Sequence, residues 1–244
     1  MRIQPASVRP VASAAATPST AAPVGEKPVA KTADAFTRAP REPVALAMPP
    51  PPATTQAADS LWYRTKKHVV LTFTGVNYDP HASKLDAAAV QKLGQVLQPG
   101  DVILRRTDGT TSNWFIPGYW GHAALYAGNG TIVDATTHDV RRIGLEDFCK
   151  EGDAVIVVRP KGAQPEQIAK AIDYAQEQVG KPYDFDLDFE DEGRFTCTEL
   201  VETALKSATG RGWAEKNPLG SISPKDFLND RFQFVWSNLS APTK

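Results

Sequence analysis

A chain of 244 residues with 41% hydrophobic content is long enough for one catalytic domain plus additional sequence. Its formal net charge of −1 excludes the basic surplus of a nucleic-acid footprint, so no nucleic-acid partner is expected. Two cysteines, Cys149 and Cys197, exclude a disulfide framework and leave room for one bridge at most; no Cys/His spacing suits zinc, and no metal or cofactor is called for.

Residues 1–58 are rich in Ala, Pro, Ser and Thr and end near Pro49-Pro50-Pro51-Pro52. Such a segment buries too little apolar surface to offset its ordering entropy, which predicts a disordered leader or linker. The same composition suits the unfolded leader of a secreted bacterial effector. No apolar h-region follows Met1-Arg2-Ile3, and no run approaches the roughly 18 apolar residues of a membrane span. The expectation is a cytoplasmic chain, or one exported by a Sec-independent route, without signal peptide or transmembrane helix.

Residues 59–98 read as an N-terminal extension packed on a core. Val69-Val70-Leu71-Thr72-Phe73-Thr74 predicts a strand from its β-branched and aromatic content. Leu85, Ala88, Ala89, Leu93, Val96 and Leu97 recur at helical spacing, and Pro99-Gly100 ends that helix. Residues 99–240 read as the catalytic domain. Strand signals crowd together at Val102–Leu104, His122–Tyr126, Thr131–Ala135, Val140–Ile143 and Ala154–Val158, with a hairpin turn at Gly128-Asn129-Gly130. Their spacing predicts an antiparallel sheet or small barrel. A helix starts at Pro165, buries Ile168, Ala171, Ile172, Ala175 and Val179, and ends at Gly180 and Pro182. Tyr183-Asp184-Phe185-Asp186-Leu187-Asp188-Phe189 then alternates apolar and acidic residues, so period two puts the rings on one face and a solvated acidic face on the other.

Thr196-Cys197-Thr198-Glu199 matches the capping box S/T-x-x-E/Q and opens an amphipathic helix through Leu200, Val201, Ala204 and Leu205. A thiolate in the first turn of a helix faces unpaired backbone N–H groups and the positive end of the helix dipole. Both favour the charged form, and the same N–H groups can receive a developing oxyanion. Cys149, in Leu145-Glu146-Asp147-Phe148-Cys149-Lys150, lacks that framing. His122 opens a strand just after a loop, where a ring nitrogen can enter a cleft. Asp134 has apolar neighbours on both sides; turned inward it needs a partner, and beside His122 it would orient the imidazole. His138, in the following turn, is an alternative base.

The order Gly100-Asp101-Val102-Ile103-Leu104, Gly121-His122-Ala123-Ala124-Leu125-Tyr126, Val133-Asp134-Ala135, Tyr183-Asp184 and Phe195-Thr196-Cys197-Thr198-Glu199-Leu200-Val201 resembles the YiiX/YebB-like group. These are circularly permuted papain-like amidases of the NlpC superfamily. Ser223-Pro224-Lys225-Asp226-Phe227 resembles the segment that follows the nucleophile helix there. The resemblance covers roughly 98–238 and implies an α+β, circularly permuted papain-like fold whose antiparallel sheet packs against the nucleophile helix. It implies Cys197 as nucleophile, His122 as base and Asp134, where the group often has Glu, as the orienting residue. Thr198, Tyr119, Trp120 and Tyr183 are the expected oxyanion and substrate surroundings. The implied activity is hydrolysis of an amide or (thio)ester through an acyl-enzyme. An acyltransferase using the same centre, or a non-catalytic effector or binding module retaining the fold, are the alternatives. Relatives in the wider superfamily cut cell-wall peptides, while the permuted branch resembles lecithin:retinol acyltransferase-like enzymes. Trp114, Phe115, Ile116, Tyr119 and Trp120, in the loop before His122, suit an acyl chain or a peripheral membrane contact. The expected substrate is therefore an acyl-containing small molecule, lipid or cell-wall peptide, with lipid and acyl substrates favoured.

Overall fold

The computed structural model describes residues 61–74, 76–186, 193–217 and 220–240. The predicted leader over 1–58, and Leu187, Asp188 and Phe189 of the alternating stretch, lie outside them.

Six strands form one antiparallel sheet: β1 (Val102–Arg106), β2 (His122–Gly128), β3 (Thr131–Ala135), β4 (Val140–Gly144), β5 (Ala154–Pro160) and β6 (Phe232–Ser237). Their order is β4-β3-β2-β1-β5-β6, so the sheet stays open and does not close into a barrel. The hairpin at Gly128-Asn129-Gly130 joins β2 to β3, and all three of its residues take positive φ, as such a tight connection requires.

Both faces of the sheet are covered, which explains why β1 and β5 read as nearly continuous apolar runs. On one face Val102, Leu104, Leu125, Val133 and Ile156 pack against α4 (Pro165–Glu177) and α5 (Cys197–Thr209). On the other, Ile103, Ala124, Ile132, Val155 and Val157 pack against Leu93 of α2 (Ala87–Val96) and Phe148 and Cys149 of α3 (Leu145–Lys150). The chain is α+β, helix layers flanking an antiparallel sheet.

Three expectations need correction. Val69–Thr74 is not a strand but the end of helix α1 (Leu61–Thr74). Tertiary docking overrides the local β preference: the Tyr63 hydroxyl donates to the Tyr183 carbonyl at 2.7 Å, Lys66 pairs with Asp186, and the Arg194 guanidinium lies 3.7 Å over the Tyr63 ring. The stretch after Pro182 does not present a solvated acidic face. Tyr183 and Phe185 do share a side, with ring centroids 5.0 Å apart, but Asp184 is buried and accepts the Asp186 N–H at 2.8 Å. Finally, β6 stands where the sequence reading assigns no element.

Candidate active site

The capping box at the start of α5 forms as the sequence predicts. Thr196 Oγ1 accepts the Glu199 N–H at 3.1 Å, and Glu199 Oε2 accepts the Thr196 N–H at 3.2 Å. This exchange leaves the Cys197 and Thr198 N–H groups at the helix start, beside the thiol. The Thr198 hydroxyl itself is tied to the Ile222 carbonyl at 2.9 Å, so what Thr198 offers a ligand is its backbone.

A row of charged side chains crosses β1 to β4 on the α3 face of the sheet. Arg105 stands opposite His122 in register, and Asp134 opposite Arg141. His122 Nε2 lies 2.8 Å from Asp134 Oδ2. Arg141 donates through Nε to Asp134 Oδ1 at 2.9 Å and through Nη2 to Oδ2 at 3.3 Å. Glu151, just past α3, joins the row's ends: it accepts from Arg141 at 2.6 Å and from Arg105 at 3.0 Å. The Arg105 guanidinium also stacks 4.3 Å from the Phe148 ring centre. The buried carboxylate of Asp134 therefore has cation and imidazole partners for both oxygens, which is what its burial demands.

Cys197 comes from the helix layer on the opposite face and meets His122 at the first residue of β2. The thiol and the imidazole stand side by side in the wall of one cavity, close enough for each to act on the other's charge. With Nε2 on Asp134, the ring nitrogen left for sulfur is Nδ1. The electrostatics of the pair follow from competing effects. Burial alone would raise the Cys197 thiol. The His122 charge, the bond to His122 and the Ala123 N–H together outweigh it and pull the thiol below its ordinary range. Burial alone would lower His122. The Cys197 thiolate charge, the Asp134 bond and the Cys197 bond overcome it and raise the imidazole to about 9. Asp134 is held well below the usual carboxylate range: its burial is outweighed by His122 and Arg141. The three groups thus favour thiolate, imidazolium and carboxylate together. Cys149 is the contrast, since burial, only partly offset by Arg105, pushes it up to about 11.

A cavity of about 530 Å³ opens at Cys197 and His122. Its walls include Val69 and Val70 of α1, Phe115 and Ile116, and Tyr183 and Phe185. Of the residues expected around the substrate, Tyr183 is in this wall, whereas Thr198, Tyr119 and Trp120 are not. The loop turns back onto the core at that point. Trp120 is fully buried in the α4/α5-side cluster, and Tyr119 packs edge-on against it at 5.0 Å. Trp114 is exposed and stacks on Tyr78. His138 is exposed on the β3–β4 turn and does not line the cavity. Both cysteines are free, and among the described residues no group of three His, Cys, Asp or Glu side chains could hold a metal ion. Arg141, Arg105 and Glu151 are absent from the sequence reading. A buried Asp134 signals that a cation is needed, but nothing in Val140-Arg141-Arg142-Ile143 selects Arg141 over Arg142 without the strand register.

Residues 96–236, more than half the chain, match the family described as permuted papain-like amidase enzymes, YaeF/YiiX, C92. No curated protein matches the chain. Among solved structures, the chain is similar to one described as the metalloprotein yiiX from Escherichia coli O157:H7, at 20% identity and a TM-score of 0.49, covering 58% of this chain and 97% of that one.

Proposed function

Because this chain belongs to the family of permuted papain-like amidases, we propose that it is a cysteine hydrolase working through Cys197, His122 and Asp134 on an acyl substrate. The observation that carries this reading is the arrangement itself: Cys197 at the helix start and His122 at the strand start line one cavity, with Asp134 on the ring nitrogen at 2.8 Å, an arrangement that draws the thiol down and the imidazole up.

The Cys197 thiolate attacks the acyl carbonyl carbon, and the carbonyl electrons move onto oxygen. The backbone N–H groups of Cys197 and Thr198, at the start of α5, are the donors this reading assigns to that oxyanion. His122, as imidazolium, gives its Nδ1 proton to the leaving nitrogen or oxygen as the carbon–heteroatom bond breaks. A thioester to Cys197 remains. Neutral His122 then takes a proton from water, whose oxygen attacks the thioester, and the departing thiolate and the recharged imidazolium restore the pair. Asp134 holds the ring through Nε2 and balances its charge throughout. Arg141 and Glu151 hold Asp134 in turn, and act as positioning residues.

The cavity walls beside the thiol, Val69, Val70, Phe115, Ile116 and Phe185, favour an acyl chain over a peptide from the cell wall. The test is product analysis with the purified chain on long-chain acyl lipids and on muropeptides. Cys197-dependent release of fatty acid is expected. Release of peptides without fatty acid would overturn the preference for acyl substrates, and no Cys197-dependent product from either would overturn the hydrolase reading.

A further inference from the structure

Among the described residues, eight large apolar side chains are exposed, and all but Phe234 lie on α1 or on the neighbouring 76–78 and 114–115 segments. A random scatter of exposed apolar residues needs no explanation, but this clustering does. Trp62 is 68% exposed, Trp114 71% and Phe115 63%. The segments form one surface. Tyr78 and Trp114 stack with ring centroids 5.6 Å apart, the Thr111 N–H donates to the Val76 carbonyl at 3.0 Å, and α1 packs against the 111–114 turn. The surface is also the rim of the Cys197 cavity, since Val69, Val70, Phe115 and Ile116 line it. Helix α1 lies outside the matched 96–236 region, so this part of the rim is an addition to the shared catalytic unit.

Charge indicates what the rim meets. Over 61–74, α1 carries Arg64, Lys66 and Lys67 and no acidic residue. Among the described residues, Asp186 pairs with Lys66, and Asp108 with Lys84 and Arg106. Exposed Trp and Phe beside Arg64 and Lys67, which pair with no carboxylate among the described residues, at the mouth of an apolar cavity, fit the headgroup region of a lipid layer. Tryptophan rings sit at that depth, and anionic headgroups answer Arg64 and Lys67. We propose that α1 and the 111–116 loop form a docking surface for an anionic lipid layer, which sets the cavity mouth against the acyl chains. The purpose of the docking rests on the acyl-hydrolase reading; the binding itself does not.

The experiment is co-sedimentation of the full chain with phosphatidylcholine vesicles, with and without added phosphatidylglycerol, run beside turnover of a water-soluble short-chain thioester. Binding to the anionic vesicles is expected. Trp62→Ser/Trp114→Ser should reduce it by more than about tenfold, with thioester turnover unchanged because neither residue lines the cavity. Arg64→Glu/Lys67→Glu should cost roughly fivefold or more per cation on anionic vesicles, with little change on neutral ones. No vesicle binding, or self-association that depends on Trp62 and Trp114 in its place, would overturn the proposal. So would vesicle binding untouched by both double variants. Vesicle binding without Cys197-dependent turnover would leave the docking surface standing and remove the hydrolase reading; turnover without binding would do the reverse.

Discussion

Cys149 and Cys197 are both buried free thiols, and only their surroundings separate them. Cys149 sits in an apolar layer that pushes it up to about 11, so at pH 7 only on the order of one in ten thousand is thiolate. Cys197 faces His122 and the Ala123 N–H and is drawn down. Iodoacetamide at pH 7 should therefore label Cys197 and spare Cys149, and His122→Ala should abolish the difference; peptide mass analysis reads both sites. Equal, slow labelling of the two would contradict the ion pair. The same pair fixes the pH profile of turnover. The acid that serves the leaving group is imidazolium, which is present below its pKa and lost above it. With His122 raised to about 9, kcat/KM should hold through neutral pH and fall as pH rises through about 9. Asp134→Asn removes a hydrogen bond that raises His122, so that limb should move to lower pH. A limb that stays at the same pH in the variant would show that Asp134 does not tune the ring. That Cys197, His122 and Asp134 are candidates was legible because each stands in a short local frame: a capping box, a strand start, an acid between apolar neighbours. Arg141 and Glu151 were not, because their contacts cross strands β3 and β4 and the end of α3, and no local pattern encodes a register.

At the scale of elements, α5 was the most legible part of the chain, since its start rests on two reciprocal hydrogen bonds that the sequence spells out. Helix α1 was the least. Val69-Val70-Leu71-Thr72-Phe73 has strand composition, and its helical state depends on Tyr63, Lys66 and Arg194 meeting across more than a hundred residues of chain. Strand β6 was missed, and its place beside β5 is a tertiary fact. The α5 cap yields a prediction of its own. Thr196→Ala leaves the buried Glu199 N–H without its side-chain acceptor and should cost about 1 kcal/mol of stability, read from urea denaturation. It should also slow labelling of Cys197, because the first turn holds the thiol. Thr196→Ser keeps the acceptor oxygen and should restore both. Loss of stability with unchanged labelling would separate the cap from the nucleophile.

For the whole molecule, the charged row across the sheet couples the Cys197–His122 pair to overall stability. The sign of each contribution follows from its shift. Asp134, Glu151 and Asp108 are held below their ordinary values, by imidazole, arginine and lysine partners acting against burial. A depressed carboxylate binds its proton less readily folded than unfolded. Its contribution is complete above the unfolded value of about 4 and is lost as pH falls through the lower folded value. The Cys197–His122 pair acts differently. His122, raised to about 9, contributes stability that is complete below about 6.5 and lost as pH rises through about 9. Cys197, lowered, contributes in the opposite sense as pH rises toward the unfolded thiol value of about 8.5. Between those two unfolded values the pair's proton uptake and release largely cancel, because the ion pair is an internal proton transfer. The urea midpoint should thus stay nearly flat from about pH 6 to 8 and fall as pH drops below about 4. Removing the cation on Asp134 gives the discriminating case. In Arg141→Met the Asp134 carboxyl loses its guanidinium partner and keeps His122, so its folded value rises toward the unfolded one and its share of the acid limb shrinks. The variant should be less stable at pH 7 and lose less on acidification than the parent chain. A parallel acid limb in parent and variant would mean that Arg141 fills space beside β3 without holding the Asp134 charge.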